Sequence, residues 1–239
     1  MHTQDIEYHA DGARLIGRLF VDEARSGRRP GVLVAPEGLG LSEHTFDIAQ
    51  RLAEAGYVAF AMDYYGDGAA LGMDEIMPRI GAFMAAPETI RARAAEALKV
   101  LAAQPQTDPA RLAAIGYCFG GTTALELARS GADLKAAIGF HSGLGTTRPQ
   151  DAKTIKAKVL VCIGADDPIV AADARAAFET EMNAGGVDWR MNLYGGAGHS
   201  FTNPEVGRLN RPGFAYHAPT DQRSWQAMID LFDEVFGAM

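Results

Sequence analysis

RLAAIGYCFGGTTALELA, residues 111–128, changes its periodicity in mid-stretch. Leu112 to Ile115 is a short apolar run of the kind buried on both faces of a sheet, and from Phe119 to Ala128 apolar residues recur at helical spacing. A strand therefore feeds directly into a helix, and Gly116-Tyr117-Cys118-Phe119-Gly120 is left to make the turn. That pattern, glycine, any residue, nucleophile, any residue, glycine, describes a turn so tight that its central residue is strained and its flanks have no room for side chains. The helix start beneath it offers unpaired N–H groups and the positive end of a dipole, which favour a thiolate and a developing oxyanion. Taken alone, the motif fits a buried structural cysteine as well as a nucleophile.

The same alternation continues on both sides. GVLVA (31–35), YVAFAM (57–62), AAIGF (136–140), KVLVCIG (158–164) and WRMNLY (189–194) read as buried strands. Helical periodicity falls at 43–55, 88–103, 120–130, 171–184 and 221–237, which predicts a doubly wound α/β architecture. In the last of these helices Trp225, Met228, Leu231, Phe232 and Phe236 share one side, so Trp225 is read as core. Ahead of the parallel strands, Ile6 and Tyr8, then Ala10-Asp11-Gly12, then Leu15, Gly17 and Leu19 predict an antiparallel hairpin. Segments 64–87, 141–157 and 200–220 lack either period and are read as loops shaping a pocket at the carboxyl ends of strands. With no internal repeat or linker, residues 1–239 are expected to form one domain.

Composition excludes several functions. A net charge of −8, from 22 basic and 30 acidic side chains without a basic run, argues against nucleic acid. No apolar run approaches the roughly 18 residues of a membrane span. The opening MHTQDIEYHADG lacks the basic and apolar regions of a secretory signal, so a soluble cytoplasmic protein is expected. Cys118 and Cys162 form no C-x-x-C pair, the six histidines show no ligand spacing, and no lysine follows the glycine turn to reach a phosphate. No metal and no cofactor are expected.

Two later motifs shift the balance toward a nucleophile. KVLVCIGADDPIV places Asp166 and Asp167 after a strand, and WRMNLYGGAGHSF places His199 in a glycine-rich turn after the next. Nucleophile, acid, histidine is the chain order of α/β-hydrolases. The chain alone does not separate the two aspartates.

Together with GVLVAPEGLGLSEHTFDIAQRLAEAGYVAFAMDYYGDG (31–68) and the tail YHAPTDQRSWQAMIDLFDEVF (216–236), these motifs resemble the dienelactone hydrolase family, which uses cysteine in the elbow. The resemblance implies an α/β-hydrolase fold: a mostly parallel sheet with helices on both faces, an N-terminal antiparallel hairpin and no large lid. It implies hydrolysis of a carboxylic ester or lactone, carboxymethylenebutenolidase activity or a related esterase, through Cys118, His199 and Asp167. The acid is Asp167 because G-x-x-D before Pro-Ile-Val matches the family's acid loop. It gives Glu37 the role of contacting the thiol and accepting its proton when substrate binds, and the N–H groups of Gly38 and Phe119 that of the oxyanion hole. In one respect the chain departs from the family. Dienelactone hydrolases grip a substrate carboxylate with arginines, one of them shortly after the histidine, where this chain has Ser200-Phe201-Thr202-Asn203-Pro204. Arg79 is expected to supply the other, with Arg208 and Arg211 as alternatives. A redox-sensing thiol protein on the same fold is the competing reading; the presence of Asp167, His199 and Glu37 argues against it. The natural substrate, the choice between monomer and homodimer, and the resting protonation of Cys118 stay open.

Overall fold

The structure, a computed structural model, describes residues 1–238, with the backbone alone at Met73. Asp11 and Gly12 both take positive φ, 50° and 70°, the turn geometry that matches the twist of the strands it joins. They connect β1 (His2–Ala10) to β2 (Ala13–Val21), and β2 runs antiparallel to β4 (Val58–Ala61). β3 (Arg29–Ala35), β5 (Thr107–Tyr117), β6 (Ala136–Phe140), β7 (Lys158–Gly164) and β8 (Trp189–Tyr194) complete an eight-stranded sheet. Its spatial order is β1-β2-β4-β3-β5-β6-β7-β8, and every pairing from β4 to β8 is parallel. This is the expected fold.

Alternate strand residues feed two cores. Leu33, Phe60 and Val161 belong to the one beneath α3 (Pro87–Ala102), α4 (Phe119–Arg129) and α5 (Ala172–Gly185). Val32, Ala59 and Leu160 belong to the other, beneath α1 (Glu43–Glu54) and α6 (Ala218–Phe236). Burial on both faces is why these strands read as unbroken apolar runs. The buried Arg129 ties the helices of one face together: it holds Glu181 of α5 through two bonds of 2.7 and 2.8 Å and Glu126 at 3.0 Å.

One expectation needs correction. Within 64–87, read as a loop, residues Met73–Ala85 form a further helix, α2, which runs into α3 through Ala86. Pro78 and Gly81 hid it, but Ile76, Ile80 and Met84 carry helical spacing, and the Gly72 N–H donates to Glu75 Oε2 at 3.2 Å at its start. Among the described residues no helix is long and apolar enough to cross a membrane.

The chain leaves β3 for β4 by way of α1 on one face and leaves β5 for β6 by way of α4 on the other. Loops from these two neighbours therefore diverge, and a crevice opens at their carboxyl ends.

Candidate active site

Cys118 stands at that crevice in a conformation, φ 54° and ψ −119°, that costs on the order of 1–3 kcal/mol. Its surroundings allow no relaxation. A Cβ at Gly116 would lie 2.0 Å from the Gly120 carbonyl oxygen, and one at Gly120 would lie 2.1 Å from that of Ala35. The Cys118 N–H reaches the Phe140 carbonyl at 3.0 Å and His141 Nδ1 at 3.2 Å. Accepting at Nδ1, the His141 ring carries its proton on Nε2 and donates it to Thr202 Oγ1 at 2.8 Å. Burial, with His199 and His44 nearby, pushes His141 well below the usual histidine range, so this support for the turn stays neutral.

His199 is buried by the loop after β8, where its own N–H bonds the Gly213 carbonyl at 2.7 Å and its ring rests against Phe214. Nε2 lies 3.2 Å from Cys118 Sγ, and Nδ1 lies 2.8 Å from Asp167 Oδ2. The other Asp167 oxygen accepts the N–H groups of Ile169 and Val170 at 2.8 and 3.3 Å, which aims the carboxylate at the ring. Asp166 is exposed, so the structure separates what the chain could not. Burial alone would lower His199, but hydrogen bonds to Asp167 and to Cys118 outweigh it and push the imidazole up to about 10. That shift favours the imidazolium form of the ring, with Nε2 facing Cys118 Sγ. Cys162, by contrast, is fully buried, and desolvation pushes its thiol up to about 12.

Phe119 opens α4, and neither its N–H nor that of Gly38 meets an acceptor among the described residues; both residues border the cavity. The Gly38 loop is pinned by two adjacent tyrosines. Tyr64 donates to the carbonyls of Pro36, at 3.0 Å, and Glu37, and Tyr65 donates to that of Gly38 at 2.8 Å. Glu37 departs from expectation. Its carboxylate does not hydrogen-bond Cys118; Oε2 instead receives the Asn203 amide at 2.8 Å and lies 3.3 Å from His44 Nδ1. The thiol has His199 as its partner and the carboxylate has the Asn203 amide, so the two groups are held separately.

The cavity over these groups measures about 480 Å³ and has apolar walls from Ile76, Ile80 and Met84 of α2 and from Val206 and Phe214. Arg79 is not part of it. It is exposed on α2, outside the arc that carries Ile76, Ile80 and Met84, which corrects the expectation that it lines the pocket. Arg208 and Arg211 do reach the wall, but Arg208 pairs with Glu205 and the Arg211 guanidinium lies 4.3 Å over the Phe214 ring.

The model for the dienelactone hydrolase family matches residues 16–236. The chain belongs to the dienelactone hydrolase family. Among its relatives, a putative carboxymethylenebutenolidase of Yersinia pestis is 28% identical over 244 residues, covering 98% of this chain and 89% of that one. Two solved structures superpose over nearly the full length. The dienelactone hydrolase-like promiscuous phosphotriesterase P91 from metagenomic libraries has a TM-score of 0.94 and 42% identity, covering 99% of both chains. The structure of m3DLH has a TM-score of 0.96 and 47% identity, covering 98% of both. The family and these relatives support a hydrolase of esters or lactones.

Sequence reasoning about this dienelactone hydrolase family member missed His44, His141, Thr202 and the tyrosine pair. His141 had a signal: it directly follows a buried parallel strand, where site residues gather.

Proposed function

We propose that the protein hydrolyses neutral carboxylic esters or lactones, without a cofactor, through a thioester on Cys118. The Cys118 thiolate adds to the acyl carbon, and the carbonyl oxygen takes up the negative charge between the N–H groups of Gly38 and Phe119. Collapse breaks the acyl–oxygen bond as His199 gives its Nε2 proton to the departing alkoxide. Water then attacks the thioester, losing a proton to Nε2, and expels the thiolate with the acid product. Asp167 keeps Nδ1 protonated throughout and stabilises the imidazolium. The observation that carries this reading is the unbroken run from Asp167 through His199 to Cys118, 2.8 and 3.2 Å, ending at the cavity.

Neutral substrates are favoured because the uncharged Asn203 stands after the histidine and Arg208 at the wall is paired with Glu205. A second reading, hydrolysis of a neutral phosphotriester by the same thiolate, is supported by the 42% identity to P91. The test compares a neutral aryl ester, a carboxylate-bearing lactone and an aryl phosphotriester on wild type and Cys118→Ala. The expected result is rapid turnover of the aryl ester, lost in the variant. Turnover surviving Cys118→Ala removes the nucleophile assignment, preference for the anionic lactone removes the neutral-substrate reading, and preference for the phosphotriester installs the second one.

A further inference from the structure

The proposed chemistry dictates where the two halves of an ester must lie, and the cavity has a separate wall for each. At the tetrahedral stage the acyl carbon carries four groups. One is Cys118 Sγ, and a second is the oxyanion, directed to the N–H groups of Gly38 and Phe119. The third is the leaving oxygen, which takes the proton of His199 Nε2, so the alcohol half stands beside the imidazole. The acyl chain has the direction that remains.

The wall beside His199 includes Phe214 and Ile169. The imidazole has two rings against it, His141 at 5.2 Å and Phe214 at 4.7 Å, and of these only Phe214 borders the cavity. The Arg211 guanidinium, 4.3 Å from the Phe214 centroid, helps to hold that ring. Ile169 follows Asp167 by two residues; its N–H bonds Asp167 Oδ1 at 2.8 Å, while its side chain is exposed at the cavity edge. An alcohol leaving from His199 therefore departs over apolar surface.

The other wall is α2. Ile76, Ile80 and Met84 recur every four residues and form one row of about 12 Å along the helix. Its start is fixed over the oxyanion loop: a Cβ at Gly38 would lie 3.1 Å from Ile76 Cγ2 and 3.1 Å from Ile80 Cδ1. Its far end is fixed through the adjoining Phe83, whose ring stacks on Phe119 at 5.9 Å. Thr122 of α4 also borders the cavity, but its hydroxyl donates to the Gly143 carbonyl at 2.9 Å and keeps no proton for a substrate. The volume of about 480 Å³ falls within the roughly 300–1,000 Å³ that enclose drug-sized ligands.

We infer that the cavity is divided into two apolar subsites: Phe214 and Ile169 receive the alcohol half of the ester, and Ile80 and Met84 receive the acyl chain. The substrate class is thus an open-chain ester with an extended apolar acyl group and an apolar alcohol. The inference rests on Cys118 being the nucleophile and on His199 protonating the leaving oxygen.

The experiment measures kcat/KM along two series, phenyl alkanoates from acetate to hexanoate and 4-alkylphenyl acetates from methyl to butyl. A 4-alkyl group barely changes the acidity of the phenol, so the second series varies contact and not leaving-group chemistry. In wild type kcat/KM should rise along both series, by up to about fourfold for each methylene buried. Met84→Gln, a polar side chain of similar size, should flatten the alkanoate series and keep the slope of the other. Ile169→Asn, which retains the backbone bond to Asp167, should do the reverse, and circular dichroism melts check that both variants fold. A wild-type series that is flat, or variants that exchange their effects, overturns the inference. Cys118→Ala separates the two failures. Phenyl acetate hydrolysis that persists there removes the nucleophile, and the division of the cavity falls with it; hydrolysis lost there beside a flat wild-type series removes the division alone.

Discussion

Gly120→Ala adds one methyl group at the point where α4 meets the end of β3. The new Cβ would lie 2.1 Å from the Ala35 carbonyl oxygen and 2.4 Å from that of Pro36, with backbone on every side and no flexible side chain to yield. Reaching a tolerable contact of 3.0 Å requires one backbone to move by about 1 Å, because close-packed interiors offer no slack. Both backbones lead to the groups proposed to act on the substrate. Ala35-Pro36 leads into Glu37-Gly38, and Gly120 follows Phe119, so the displacement falls between the two proposed oxyanion donors. A misplacement of about 1 Å costs on the order of 100-fold in rate. Overpacking adds a destabilisation of about 1–3 kcal/mol, or roughly 2–12 °C in Tm for a chain of this size. The assay is kcat and KM on a neutral aryl ester beside a thermal melt, with the loss expected in kcat. Gly81→Ala is the control. Nothing lies within 4 Å of its added Cβ in α2, so it should keep wild-type kcat and gain about 0.5–1 kcal/mol. Wild-type kcat and Tm in Gly120→Ala would refute the claim that this contact sets the oxyanion geometry.

Other perturbations have expected directions. Asp167→Asn removes the charge that stabilises the His199 imidazolium 2.8 Å away and should lower kcat by about 10³–10⁴-fold with the fold intact by circular dichroism. Arg129→Ala leaves Glu181 buried without its cation, while Glu126 keeps Arg91 at 2.8 Å, and should cost about 3–5 kcal/mol in urea unfolding. Stability should also respond to pH on both sides of 6.5. His141 stays neutral when folded while the unfolded chain takes up a proton, so stability is lost as pH falls below 6.5, by up to about 1.4 kcal/mol per pH unit. His44, raised on folding, contributes fully below 6.5 and loses that contribution as pH rises through its folded value. Urea unfolding at several pH values, repeated in His141→Gln, should show the acid slope flattened.

The elbow was legible because its constraint is local: Gly116 and Gly120 are separated from Cys118 by one residue each, and a side chain at either would strike backbone. The parallel strands were legible because burial on both faces leaves an apolar run with no polar interruption. α2 was not, because Pro78 and Gly81 carry the composition of a loop. Arg79 fell with it, since a residue assigned to a loop has no assigned face.

The sequence by itself determined the order of the chemistry along the chain, the cysteine elbow and the strands that carry it, all of which depend on spacings of a few residues. Tertiary structure alone decided which groups meet. Cys118 and His199 lie 81 residues apart, and Asn203 lies 166 from Glu37. It turned Asp167 rather than Asp166 toward the imidazole, brought Glu37 to Asn203 and His44, and set Arg79 outside the cavity. A carboxylate goes to the donor that the fold brings within about 3 Å, and closeness between distant segments is a property of packed elements that no local pattern encodes.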